Sequence, residues 1–356
     1  NFDLNNLDGI NGSVLSGDAA GDRAGFSVSS AGDLNGDGLS DLLIGAHRAS
    51  PGGLSGVGQT YVVFGTAASI GADFQLNSLD GADGFRIDGR RTDHFTGYSV
   101  SDAGDVNGDG IGDIIIGMSG YSGAGSNFAE SYVVFGKTAG FTATLSVATL
   151  DGSDGFAVSG IDGYDLAGRS VSGAGDINGD GFDDILIGAL EADQTGASNA
   201  GESYVLFGKA TAFDADVLVS ALDGADGFQI NGISAGDLSG SAVHGAGDVN
   251  GDGFDDIAIG ARGADGISSA GGEAFVVLGF DTGTVTNQDT AGNDTLTAGI
   301  DANVMIGAQG DDILVGGGGA DVLRGGEGDD ILDVADATFQ RISGGLGTDT
   351  LRFSSN

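Results

Sequence analysis

Short apolar runs recur along the chain at an even interval: Leu42-Leu-Ile44, Ile114-Ile-Ile116, Ile185-Leu-Ile187 and Ile257-Ala-Ile259. Each is bounded by glycine and too short for a buried helix, so each is read as a central β-strand. A partner run precedes each one: Phe26-Ser-Val, Tyr98-Ser-Val, Arg169-Ser-Val and Ser241-Ala-Val. Another run closes each unit: Tyr61-Val-Val-Phe-Gly65, Tyr132-Val-Val-Phe-Gly136, Tyr204-Val-Leu-Phe-Gly208 and Phe275-Val-Val-Leu-Gly279. A further strand is expected near the turns at Leu7-Asp8-Gly9, Leu79-Asp80-Gly81, Leu150-Asp151-Gly152 and Leu222-Asp223-Gly224. The pattern therefore predicts an all-β chain with about four strands per unit, in four copies over residues 2–281. Repeats of this length mean arrays or propellers, and four-stranded units repeated radially are β-propeller blades.

The polar segment between the partner and central strands carries the chemistry. It contains Asp33, Asn35, Asp37 and Asp41; then Asp105, Asn107, Asp109 and Asp113; then Asp176, Asn178, Asp180 and Asp184; then Asp248, Asn250, Asp252 and Asp256. Side-chain oxygens at positions one, three, five and nine, with glycine at six, suit Ca²⁺, which takes six to eight oxygens around a sharp backbone turn. An EF-hand is excluded, because its bidentate glutamate at position twelve is replaced by Ile44, Ile116, Ile187 and Ile259. The loop instead joins two strands of a hairpin.

Composition sharpens this reading. The formal net charge is -40, with 52 acidic against 12 basic residues, and only Glu130, Glu191, Glu202, Glu273 and Glu327 are glutamates. Aspartate suits tight turns and compact oxygen cages. Nucleic acid and anionic membranes are poor partners for such a charge, because they need basic patches, and no nucleic-acid partner is expected. No run approaches the about 18 apolar residues of a membrane span, so membrane insertion is not expected. Without cysteine, neither disulfides nor thiolates are available, and bound ions are the obvious means of holding an extracellular fold together. Asn1 is neither an initiator methionine nor the start of a signal peptide, and the chain reads as an excerpt or a processed product.

With its Phe-Gly and Gly-Ala signposts and its Asp-x-Asn-x-Asp-Gly-x-x-Asp loop, the unit resembles the FG-GAP repeat of integrin α-subunit propellers and related bacterial surface proteins. The resemblance implies one Ca²⁺ per blade, with the carbonyls of Leu39, Ile111, Phe182 and Phe254 supplying position seven. Integrin propellers have seven blades and four repeats are present here. Further blades upstream, closure of four blades, or an open array pairing with another copy each meet that difference.

The period changes after the fourth repeat. Asp294, Asn303, Asp312, Asp321 and Asp330 fall every nine residues, and Asp349 follows after an insertion. Gly316-Gly-Gly-Gly-Ala-Asp321, Gly325-Gly-Glu-Gly-Asp-Asp330 and Gly344-Gly-Leu-Gly-Thr-Asp349 match a nonapeptide that builds a parallel β-roll binding calcium between turns. This part resembles RTX (haemolysin-type) repeats, which implies several Ca²⁺ on Asp312, Asp321, Asp330 and Asp349, and type I export to the outside of the cell or its surface. A secretion signal is not evident before Asn356. The expected division is an FG-GAP propeller region over 1–283 and an RTX roll over 284–356.

Catalysis finds no support in the sequence: His47, His94 and His244 share no spacing, and the carboxylates are better read as cation ligands than as acid–base pairs. The basic cluster Arg90-Arg91-Thr-Asp93-His94 is expected to be a solvated loop, and Tyr61, Tyr132, Tyr204 and Phe275 to be core. Three roles follow from these features: a secreted calcium-binding adhesion or surface module, the non-catalytic accessory region of an exported hydrolase or lyase, or a self-assembling subunit of an extracellular filament or layer. An unidentified surface ligand, protein or glycan, would meet rim loops such as 49–58 and 119–129.

Overall fold

The computed structural model describes residues 3–120, 130–162, 164–265, 271–288 and 292–354, so most of the rim loop 119–129 lies outside the described residues. The first repeat supplies β1 (Val14–Ser16), β2 (Ser27–Ser30), β3 (Leu42–Ala46), β4 (Gln59–Val63) and β5 (Asp73–Gln75). The second supplies β6 (Gly84–Asp88), β7 (Ser99–Gly104), β8 (Asp113–Gly117), β9 (Glu130–Val134) and β10 (Thr144–Ser146). The third supplies β11 (Gly155–Ser159), β12 (Ser170–Gly175), β13 (Asp184–Ala189), β14 (Glu202–Leu206) and β15 (Asp216–Leu218). The fourth supplies β16 (Gly227–Asn231), β17 (Ser239–Gly247), β18 (Asp256–Ala261) and β19 (Glu273–Val277).

The sheets are offset from the sequence repeat. β2, β3 and β4 pair antiparallel in that order, and the strand beyond β4 is β6, from the following repeat. The same offset gives β7-β8-β9-β11 and β12-β13-β14-β16. This corrects the expectation that the strand at the Leu-Asp-Gly turn joins the other strands of its own repeat. From each closing run the chain passes through a short strand, β5, β10 or β15, and the strand after it returns as the antiparallel partner of the closing run. Three-residue strands then add in parallel outside, β10 on β6 and β15 on β11, while β1 pairs with β5. No Leu-Asp-Gly turn follows Phe275, and among the described residues β17-β18-β19 remains three-stranded.

The central strands are continuous apolar runs because both their faces are covered: every residue of β4, β8, β9, β13 and β14 is buried. Val62, Phe85 and Ile87 of one sheet share a cluster with Ile114, Ile116, Tyr132 and Val134 of the next. Ile115, Val133 and Phe156 in turn meet Ile185, Ile187 and Tyr204. Full burial of such a side chain contributes roughly 1.5–3 kcal/mol. Sheets packed face to face in this way fit the blades that the repeat predicts, and Tyr61, Tyr132 and Tyr204 are core residues as expected.

From residue 287 the strands become parallel. β20 (Asn287–Gln288), β22 (Val304–Ile306), β24 (Val322–Glu327) and β26 (Arg341–Leu346) form one sheet; β21 (Thr295–Thr297), β23 (Ile313–Val315), β25 (Ile331–Val334) and β27 (Thr350–Phe353) form the other. Val304 pairs with Val322 and Ile313 with Ile331, so one coil takes two nonapeptides. Met305, Leu314, Leu323, Leu332 and Val334 fill the interior.

The chain divides into two compact units, one of residues 1–173, 185–244 and 259–275, the other of residues 174–184, 245–258 and 276–356. The second unit therefore contains the roll together with the acidic loops of the third and fourth repeats. Among the described residues no helix is long and apolar enough to cross a membrane.

Candidate metal centres

Each acidic loop links two antiparallel strands, as its spacing predicts, and its side-chain oxygens turn inward onto the loop's own backbone. In the first loop, Asp33 accepts the N–H groups of Asp37 (2.9 Å) and Gly38 (2.8 Å), one on each oxygen. Asn35 Oδ1 accepts from Asp37 N (2.9 Å), and Asp37 Oδ1 from Leu39 N (2.9 Å). The same bonds recur on Asp105, Asn107 and Asp109, on Asp176, Asn178 and Asp180, and on Asp248, Asn250 and Asp252. Their donors at position seven are Ile111, Phe182 and Phe254. The glycine at position six takes a positive φ each time: +85° at Gly38, +83° at Gly110, +93° at Gly181 and +87° at Gly253. A β-carbon there would be strained, and only this turn brings residues one and five together.

The ninth residue has a second duty that the spacing does not show. Asp41, Asp113, Asp184 and Asp256 are fully buried. Their Oδ2 atoms accept the N–H of loop position two, from Leu34 (3.0 Å), Val106 (2.9 Å), Ile177 (2.9 Å) and Val249 (2.8 Å). The Oδ1 atoms of Asp41, Asp113 and Asp256 accept from Gly65 (2.8 Å), Gly136 (2.9 Å) and Gly279 (2.8 Å), the glycines that end the closing runs. Those glycines are required by close approach: a β-carbon on Gly136 would lie 2.2 Å from the Gly112 carbonyl oxygen. Burial pushes the carboxyl of Asp41 up to about 6 and that of Asp113 up to about 8, the backbone donors opposing it. Asp176 is pushed up to about 6 by burial, against the pull of Arg324.

In the roll, each coil pins the one before it. Asp312 Oδ1 accepts from Asp294 N (2.8 Å), Asp321 Oδ1 from Asn303 N (2.9 Å), Asp330 Oδ1 from Asp312 N (2.8 Å) and Asp349 Oδ1 from Asp330 N (3.0 Å). Asp294 and Asn303 thus join the same ladder as the stronger motif copies. The other oxygen of Asp330 is buried and has no hydrogen-bond partner among the described residues.

Known families share this pattern of loops and coils. FG-GAP repeats match residues 24–63, 167–206 and 239–278, and the RTX calcium-binding nonapeptide repeat matches 288–314 and 306–336. The chain carries FG-GAP repeats followed by RTX calcium-binding repeats. Relatives agree: integrin alpha-V of Gallus gallus is 28% identical over 244 residues, covering 68% of this chain and 20% of the relative. Integrin alpha pat-2 of Caenorhabditis elegans is 30% identical over 280 residues, 75% of this chain and 19% of the relative. The chain thus spans about a fifth of the length of these relatives. The second repeat lies outside the family-model matches, yet its loop from Asp105 to Asp113 has the same hydrogen bonds as the others.

Does the donor set fit calcium? Among the described residues no group of three histidine, aspartate or glutamate side chains stands ready as a cage. Each FG-GAP loop nevertheless holds three carboxylates and a carboxamide around one turn, and a cation would take over oxygens now turned onto N–H groups. The uncompensated Asp330 oxygen fits a hard cation in the RTX roll equally well. The chemistry of both sites suits Ca²⁺.

One expectation about the chain's basic residues is corrected. The segment from Arg90 to His94 is not a solvated loop: His94 is 1% exposed, and Arg90 makes a two-pronged ion pair with the buried Glu130, onto which Tyr132 also donates. The reason is that Glu130 is a carboxylate inside a blade and needs a counter-charge. Tyr204 likewise donates to Glu202. The signal was present, since Glu130, Glu202 and Glu273 each stand two places before the recurring aromatic in a chain nearly free of glutamate.

Proposed function

We propose that this chain is a secreted, calcium-stabilised adhesion-type module, in which FG-GAP blades display rim loops to a surface ligand and the RTX roll folds outside the cell. Acidic loops of this kind would hold Ca²⁺ through the side chains at positions one, three, five and nine and the carbonyl at seven; Asp312, Asp321, Asp330 and Asp349 would hold further ions in the roll. The observation that carries this reading is the repetition of one inward-turned oxygen arrangement in four loops. Calcium titration by calorimetry tests it directly. Uptake of several ions per chain is expected, and no uptake at millimolar calcium overturns it. Binding to a panel of glycans and matrix proteins, with and without EDTA, tests the adhesion role; calcium-dependent retention is expected.

Self-association is favoured by one observation. β19 has a single strand neighbour among the described residues, whereas its equivalent β14 has two. β1 is the sequence equivalent of β16, the strand that completes β14, and Gly12 has a φ of +148° where Gly227 has +142°. A second copy could supply β1 to β19. Sedimentation at rising concentration would show chains of copies if so, and a monomer throughout would dismiss it.

A further inference from the structure

The third acidic loop differs from the first in what stands against its leading aspartate. Asp176 and Asn178 are buried, whereas Asp33 and Asn35 are partly exposed. Arg324, on β24 of the roll, is 8% exposed; its Nη1 donates to the Gly253 carbonyl (3.0 Å) and its Nη2 makes an ion pair with Asp176 Oδ2. That oxygen already accepts the N–H of Gly181 (2.7 Å). A second guanidinium bears on the same loop, for Arg341 of β26 donates to Asp183 Oδ1 (2.8 Å). All these residues belong to one compact unit. Within the roll, Arg324 occupies the column position held one coil earlier by Ile306, and Ile306 packs on Phe254 of the fourth loop. Among the described residues Asp33 and Asp248 have no basic side chain within ion-pair distance, so the third loop is set apart by a resident positive charge.

We propose that the guanidinium of Arg324 is the built-in cation of the third loop, so that this loop fastens the RTX roll instead of holding calcium. The oxygen engaged by Arg324 belongs to the carboxylate at loop position one, which a calcium ion in this loop would need as a ligand. Arginine stays protonated throughout the accessible pH range, and its planar fork reaches a carboxylate and a carbonyl at once, as it does here. A calcium ion at Asp176 would sit against that fixed charge in a buried place where water screens little. The two cations therefore exclude one another, and a loop of the same sequence pattern becomes a calcium-independent socket. The inference rests on the calcium reading of the other loops.

The test counts calcium ions per full chain by native mass spectrometry and calorimetry in matched variants. Asp105→Asn, in the second loop, is expected to lose one ion; Asp176→Asn, at the same loop position in the third, is expected to lose none. Arg324→Met is expected to gain one ion, and Arg324→Lys to leave the count unchanged. Loss of an ion from Asp176→Asn while Arg324 is intact overturns the proposal, as does an unchanged count in a folded Arg324→Met chain. If Asp105→Asn also leaves the count unchanged, the calcium reading of the loops itself fails and the proposal falls with it. Circular dichroism checks folding. Should Arg324→Met not fold in EDTA, recovery of its fold by calcium supports the exchange of one cation for the other, and failure to recover counts against it.

Discussion

Asp113 holds two buried N–H groups, one from Val106 and one from Gly136, on its two oxygens. Asp113→Ala leaves both without a partner at about 1–3 kcal/mol each, so a loss of roughly 2–6 kcal/mol is expected by urea denaturation. A change below about 1 kcal/mol would show that the ninth residue matters only to a metal. Gly136→Ala separates the second role from the first, because it removes no ligand and drives a β-carbon into the Gly112 carbonyl. Its expected outcome is a comparable destabilisation in calcium and in EDTA alike. At this scale the hydrogen-bonded turn of each acidic loop was legible in the sequence, since loop positions one to nine are local and repeat four times. The tie from Asp113 to Gly136 was not, because it spans 23 residues and appears only when the hairpin meets the closing strand. Arg324 was less legible still, lying 148 residues from Asp176 in a region of different period.

At the scale of the hairpin, burial discourages particular loop carboxylates from ionising: Asp41 in the first loop, Asp105 and Asp113 in the second, and Asp176 and Asp180 in the third. Asp41 and Asp113 titrate in the fold near 6 and 8, against 3.8 for an ordinary aspartate. A carboxyl raised on folding favours the folded state while protonated, so its contribution is complete below about 4 and is lost as pH rises through the folded value. The calcium-free chain is therefore expected to melt lower at pH 8 than at pH 5, both points lying above the sequence pI of about 4.1. Saturating calcium favours the ionised carboxylates and should flatten or reverse that trend. Melting curves at the two pH values, with EDTA and with calcium, check the sign; a calcium-free chain more stable at pH 8 would contradict it. Strand existence was legible from the apolar runs, but strand pairing was not. A 72-residue period is satisfied whether β6 joins the blade before it or the one after it, and only the chain reversal beyond Phe64 decides. The parallel roll was more legible from its nine-residue motif, although the pairing of strands two motifs apart appears only in the structure.

For the whole molecule, a formal charge of -40 on 356 residues must be held together with no disulfide. Self-repulsion of that size opposes a compact state. A site with a Kd on the order of 1 µM contributes about 4 kcal/mol at roughly 1 mM calcium. Several such sites match the whole net stability of an ordinary domain, about 5–15 kcal/mol. Calcium would then decide where the chain can fold, loosening it in a low-calcium interior and closing it outside. On this account the FG-GAP loops and the RTX roll would depend on the same ion, while the third loop, with its arginine, would be independent of it. The most direct test is calorimetric melting of the full chain in millimolar calcium and in EDTA. The account predicts a melting temperature higher in calcium by at least roughly 10 °C, given about 2–4 °C per kcal/mol for chains of this class. Equal melting temperatures in the two buffers would contradict it.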